Sequence, residues 1–138
     1  MPPGEPLLPT GRDRDCADEI LSVYLDGTTR AGAPAFAGFD HRRIKPELAW
    51  AAQLLAGYTA EDVMGFAREA RAESLAAPVG SVQTVGTRRV SAWVRYYAQM
   101  ADLVLTLRRA GFDVRVVSAS AEPVVRVWRK SWASRPRR

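Results

Sequence analysis

The stretch L103-VLTLRRAGFDVRVVSASAEPVVR-VW128 decides how this chain reads. Leu103, Val104 and Leu107 fall at helical spacing and close an apolar stripe. Gly111 then stops the helix. Phe112, Val114, Val116 and Val117 form a β-rich run that ends at Ser118-Ala119-Ser120. Pro123 is tolerated only in a first helical turn, so a further helix is expected from Ser120 or Ala121. The order is helix, glycine, strand, serine loop, helix. That is one piece of an α/β unit with a parallel strand.

A serine at the end of such a strand has a chemical use. Ligands of open α/β sheets bind outside the carboxyl ends of the strands. A helix N-terminus there presents free N–H groups and the positive end of a dipole to an anion. The hydroxyl of Ser118 can donate to a phosphoryl oxygen. The plain alternative is that Ser118 only caps the helix.

Working outward, the region before this stretch is mostly helical. Ala17, Ile20, Leu21, Tyr24 and Leu25 form a helical stripe, with Asp15 placed to cap it, Asp18 and Glu19 in its first turn and Gly27 to end it. The segment T28-TRAGAPAFAGFDHR-R43 reads as a loop. Pro46 opens a short, largely buried helix running to Gly57. Thr59 and Asp62 resemble a capping box, starting a helix to about Ala77 with Val63, Phe66, Ala67, Ala70 and Leu75 on one face. V79-GSVQTVGTRR-V90 is a small hairpin or an irregular connection. A long helix is expected over 91–109, with Trp93, Tyr96, Tyr97 and Met100 on its inner side.

The stretch 103–128 resembles the second motif of the haloacid dehalogenase-like (HAD) hydrolases, in which a helix leads to a strand closed by a serine. The nearest likeness is to the phosphoserine and phosphorylcholine phosphatase-like branch. The region K45-PELAWAAQLLAGYTAEDVMGFARE-A70 is similar to the helical cap of that branch, and W93-VRYYAQMADL-V104 to the approach to the motif. The resemblance covers residues 17–128. It implies an α/β fold: a partial Rossmann-type core with a mostly helical cap. It divides the chain into a disordered lead-in (1–15), a cap region (16–90), a piece of the core (91–128) and a basic tail (129–138).

The resemblance also implies a chemistry. An aspartate attacks the phosphate of a small phosphorylated metabolite, Mg²⁺ neutralises charge, and the motif-two serine binds a phosphoryl oxygen. Residue by residue, Ser118 is the match, as a phosphate ligand. The family's first motif has an aspartate two residues before its Asp-Gly-Thr. Here Asp26-Gly27-Thr28 has Tyr24 at that position, which cannot be the nucleophile. Asp26 would at best be a decayed general acid/base. Lys130 lies too close to Ser118 for the family's third motif, and no metal-binding acids follow. The expectation is a fragment of a phosphatase, as a truncated or frame-shifted reading frame would produce, inactive alone and without metal ligands of its own.

Composition bounds the alternatives. Six of the twenty basic residues lie in R126-VWRKSWASRPR-R138, which holds no acid; the other 125 residues carry 14 basic and 15 acidic. The charge of +5 therefore belongs to the tail, and no basic face of the domain argues for nucleic acid. A non-catalytic module using that tail on nucleic acid is the competing reading. No apolar run suits a membrane span and no secretory signal opens the chain. The single cysteine, Cys16, fits a reducing cytoplasm. His41 is a lone loop histidine and makes no zinc site with Cys16. Trp50, Trp93, Tyr96 and Tyr97 could hold a quaternary ammonium by cation–π attraction, though their spacing suits core packing better. Arg42, Arg43 and Lys45 could meet a phosphate or simply be solvated.

Overall fold

The computed structural model describes residues 8–38 and 45–133. It contains five helices and one hairpin among these residues: α1 (Arg14–Asp26), α2 (Pro46–Gln53), α3 (Ala60–Ala76), β1 (Val82–Val85), β2 (Arg88–Ser91), α4 (Ala98–Arg109) and α5 (Glu122–Ala133). The chain is thus a mixed fold, mostly helical, with a small two-stranded antiparallel sheet. No helix among the described residues is long and apolar enough to cross a membrane. Two compact units result. One joins the chain up to Leu54 with Val82–Ser91; the other joins Leu55–Ser81 with the chain from Ala92 onward.

In the first unit, α1 forms where expected, but the face it buries is Ala17, Asp18, Ser22 and Val23, while Tyr24 and Leu25 of the expected stripe are exposed. Its cap is Asp13, not Asp15: the Asp13 carboxylate accepts the Cys16 N–H at 2.9 Å. Asp15 instead faces Arg30 in an ion pair at 2.9 Å, and Glu19 accepts the Arg30 N–H at 3.0 Å, so the chain after α1 is folded back along the helix. The lead-in is ordered from residue 8, where Pro9 O accepts the N–H groups of Arg12 and Asp13; residues 1–7 lie outside the described residues. Helix α2 begins at Pro46 as expected but ends at Gln53; it packs against α1, yet none of its residues is buried.

The hairpin pairs Val85 with Arg88 across a two-residue turn, Gly86-Thr87. Gly86 has φ +64, while among the described residues no non-glycine has positive φ, which fits a II′ turn with glycine at its first central position. This turn docks on α1. Asp18 is only 7% exposed, and its carboxylate accepts the Thr87 N–H at 2.7 Å and the Thr87 hydroxyl at 3.1 Å. The backbone hydrogen bond from Thr87 is the main cause holding the Asp18 carboxyl below its usual 3.8, helped by Arg30 and Arg14 against the cost of burial.

That shift has a signed consequence. The unfolded chain takes up the Asp18 proton more readily than the folded one, so this contact stabilises the fold at neutral pH and is lost as pH falls below about 4. Asp62 behaves likewise, its carboxyl lowered by the hydroxyl and N–H of Thr59. Stability should therefore be flat from neutral pH to about pH 5 and fall on further acidification. Asp18→Asn should flatten the acid limb, as read by urea midpoints across pH. An unchanged limb in that variant would contradict the assignment.

In the second unit, α3 opens with the capping box: Asp62 N–H donates to the Thr59 hydroxyl oxygen at 3.2 Å, and Thr59 N–H to the Asp62 carboxylate at 2.9 Å. Val63 and Ala67 of α3, Ala101 of α4 and Val127 of α5 are the buried apolar residues, and α3 packs chiefly on α5. Ala70, expected on the inner face, is exposed.

The long helix expected over 91–109 starts only at Ala98. Residues 92–97 are used otherwise. Val94 N–H donates to Ser74 O at 3.0 Å, and the Arg95 guanidinium donates to Ser74 O and Ala77 O. These are carbonyls of the last turn of α3, which a helix leaves without partners. The segment is held as a cap for α3 and cannot also be helix, so Trp93, Tyr96 and Tyr97 do not lie on α4.

The strand expected over 112–117 does not form. Among the described residues nothing pairs with it, and a parallel strand exists only beside a neighbour. After Gly111, with φ +87, the chain runs without regular structure from residue 112 to 118 and enters α5 at Glu122.

Candidate functional site

The two residues that the sequence brings forward lie in different units. Asp26 is the last residue of α1. Gly27 follows in the left-handed conformation, φ +68, and its N–H returns to Val23 O. Asp26-Gly27-Thr28 is therefore a helix end and no strand precedes it. The Asp26 carboxylate is engaged by the Arg88 guanidinium of β2 in a hydrogen-bonded ion pair, and this carboxylate is the first cause raising the Arg88 pKa above its ordinary value. This pair ties α1 to the hairpin.

Ser118 closes the irregular segment before α5. It does not cap the helix. The N–H groups of Val124 and Val125 go to Ala121 O, and α5 begins at Glu122, four residues later. The Ser118 Oγ instead accepts the Ser120 N–H at 3.1 Å. A hydroxyl that accepts from its own loop keeps its O–H to donate elsewhere. The serine is exposed at a cleft of about 340 Å³ that is mostly apolar, walled by Tyr96, Val116, Val124 and Trp128, with Ser120 and Arg129 as further polar members.

The wall of the cleft is tied together by Tyr96. Its hydroxyl accepts from Arg71 Nε at 3.0 Å and donates to Trp128 O at 2.9 Å. Its ring lies 6.0 Å from that of Trp128, and the Arg71 guanidinium carbon 5.7 Å from its centroid. Tyr96 is thus a cross-brace between α3 and α5. Trp93 meets Arg95 in a similar cation–π contact at 5.9 Å.

The end of α5 itself is a poor anion site. Pro123 supplies no N–H, and the Glu122 carboxylate, paired with Arg126 at 2.8 Å, sits in the first turn. Any anion held here depends on the Ser118 and Ser120 side chains and on Arg129, a guanidinium suited to a phosphate. The sequence pointed to Ser118 through the strand-serine-helix order. Arg129 was counted only as part of the tail, and nothing in a linear reading places it in the lining of the cleft.

The metal that the HAD resemblance implies finds no fit. Among the described residues no three His, Cys, Asp or Glu side chains come together in a way that could hold an ion. His41, Arg42 and Arg43 lie outside the described residues, as does the tail from residue 134, and the side chain of Lys130 is not among those described. No known family model matches this chain, and no curated protein or solved structure is significantly similar to it.

Proposed function

We propose that this chain binds a small phosphomonoester at the Ser118–Ser120 loop, in the manner of the second motif of HAD-like phosphatases, and does not hydrolyse it with its own residues. One observation carries the reading: Ser118 Oγ is set by the Ser120 N–H at the mouth of a cleft that also holds Arg129, with its proton free to donate and no helix cap to serve. Hydrolysis requires a nucleophile and charge neutralisation beside the phosphate. Asp26, the remaining candidate, is paired with Arg88, and Tyr24 stands where the family's nucleophile would be.

The test is a titration with O-phosphoserine followed by calorimetry. Ser118→Ala should weaken binding roughly 10- to 100-fold, the range expected when one hydrogen bond to a charged group is lost. Binding unchanged by that substitution would remove Ser118 from the site. With Mg²⁺ and p-nitrophenyl phosphate the pure protein should show no turnover; activity abolished by Asp26→Asn would overturn the non-catalytic part of the proposal.

A further inference from the structure

The segment that failed to become a strand has a second property. Phe112 is 63% exposed, Val116 45% and Val117 96%, while Val114 is half-buried. Beyond the Phe112 N–H, which donates to Leu107 O, the backbone of this segment joins no ladder among the described residues. Asp113 and Arg115 meet side by side, with Nε to carboxylate at 2.7 Å. Neighbours at i and i+2 share one side of an extended chain, so the charged pair marks one face and Phe112, Val114 and Val116 the other.

We infer that residues 112–116 are a self-association strand, pairing antiparallel with the same segment of a second copy of this chain about a two-fold axis at Val114. The sequence F-D-V-R-V is self-complementary in that register and in no neighbouring one. About Val114, Phe112 lies opposite Val116 of the other copy, and Val114 opposite Val114. On the other face Asp113 lies opposite Arg115, twice. Aromatic with β-branched and opposite-charge pairs are the stabilising cross-strand combinations. Sliding the register by two residues sets Asp113 against Asp113 or Arg115 against Arg115. Sliding by one sets the charges against valine or phenylalanine. An isologous pairing fixed by its own charges is what a symmetric dimer needs. It also covers an exposed, unpaired apolar segment that would otherwise be open to indiscriminate pairing. This inference does not rest on phosphate binding at Ser118.

The experiment uses the full chain and two single variants. Analytical ultracentrifugation of the wild type should show a dimer that dissociates on dilution. Asp113→Arg and Arg115→Asp each place like charges directly opposite at both ends of the register, so each should be monomeric alone. Mixed in equal amounts they should associate, because the two arginines of the first variant then face the two aspartates of the second across the pairing. The double variant, with the charges exchanged, should dimerise like the wild type. Both positions are exposed, and circular dichroism confirms that each variant folds. A wild type that stays monomeric at about 1 mM, where even weak specific pairing is populated, overturns the inference. So does failure of the two single variants to associate when mixed, which no defect in folding would mimic.

Discussion

Replacing Gly86 with alanine should destabilise the unit built from α1 and the hairpin by about 3 kcal/mol, the sum of a backbone and a packing cost. The backbone part arises because Gly86 sits at φ +64, where a Cβ is strained. The packing part arises because that Cβ would fall onto the Asp18 carboxylate, 2.7 Å from its Cγ and 3.1 Å from the Asp18 backbone N. The side chain could swing aside, but only by giving up the Thr87 N–H and hydroxyl that it accepts. The backbone of α1 cannot. Gly32→Ala separates the two costs. Gly32 also has positive φ, +82, yet nothing lies within 4 Å of its added Cβ, so only the strain of about 1 kcal/mol applies. Urea denaturation of the two variants should differ by about 2 kcal/mol. Equal losses would mean that the turn is not seated on Asp18.

The second large effect is expected at Tyr96. Tyr96→Ala should cost the three-helix unit about 3 kcal/mol, since it removes an aromatic wall along with two hydrogen bonds. Tyr96→Phe keeps the ring against Trp128 and loses only the hydroxyl, which bridges Arg71 and Trp128 O, at a cost of about 1 kcal/mol. The ratio is informative. If phenylalanine were as damaging as alanine, the polar brace rather than the ring would hold α5 on α3. Thermal unfolding by circular dichroism reads both. Because Tyr96 walls the cleft below Ser118, Tyr96→Ala should also weaken phosphomonoester binding, while Tyr96→Phe should leave it near the wild type.

What the sequence made legible was local. The presence of α1 and its end at Gly27, Pro46 at the start of α2, the Thr59–Asp62 capping box and Pro123 in the first turn of α5 each depend on residues within one or two turns. A hairpin over 79–90 is one of two readings the sequence leaves open, and its two-residue turn is not placed there. The failures are equally physical. Trp93 to Tyr97 carry a helical pattern, but Val94 and Arg95 are taken by the open carbonyls of α3, and that demand comes from another element. Phe112 to Val117 carry a strand pattern, but strand is a property of a pair and the described chain supplies no partner.

The Asp18–Thr87 contact joins positions 69 residues apart, and no periodicity announces it. Asp18 read as a first-turn acid and proved to be the buried anchor of the hairpin. At the candidate site, the strand-serine-helix order pointed to Ser118; the strand itself does not form, and the serine lies in the irregular segment before α5. The pairing of Asp26 with Arg88 joins α1 to β2, positions 62 residues apart that no linear reading connects.

The most direct measurement is a ¹H–¹⁵N NMR titration of the full chain with O-phosphoserine. Saturable shifts are expected at the amides of Ser118, Ser120 and Ala121 and at the guanidinium of Arg129, and in Ser118→Ala the shifts at Ser120, Ala121 and Arg129 should need roughly 10- to 100-fold more ligand. Saturable shifts centred elsewhere, on Arg12 and Arg14 or on the basic tail, with the 118–121 amides silent, would contradict the account.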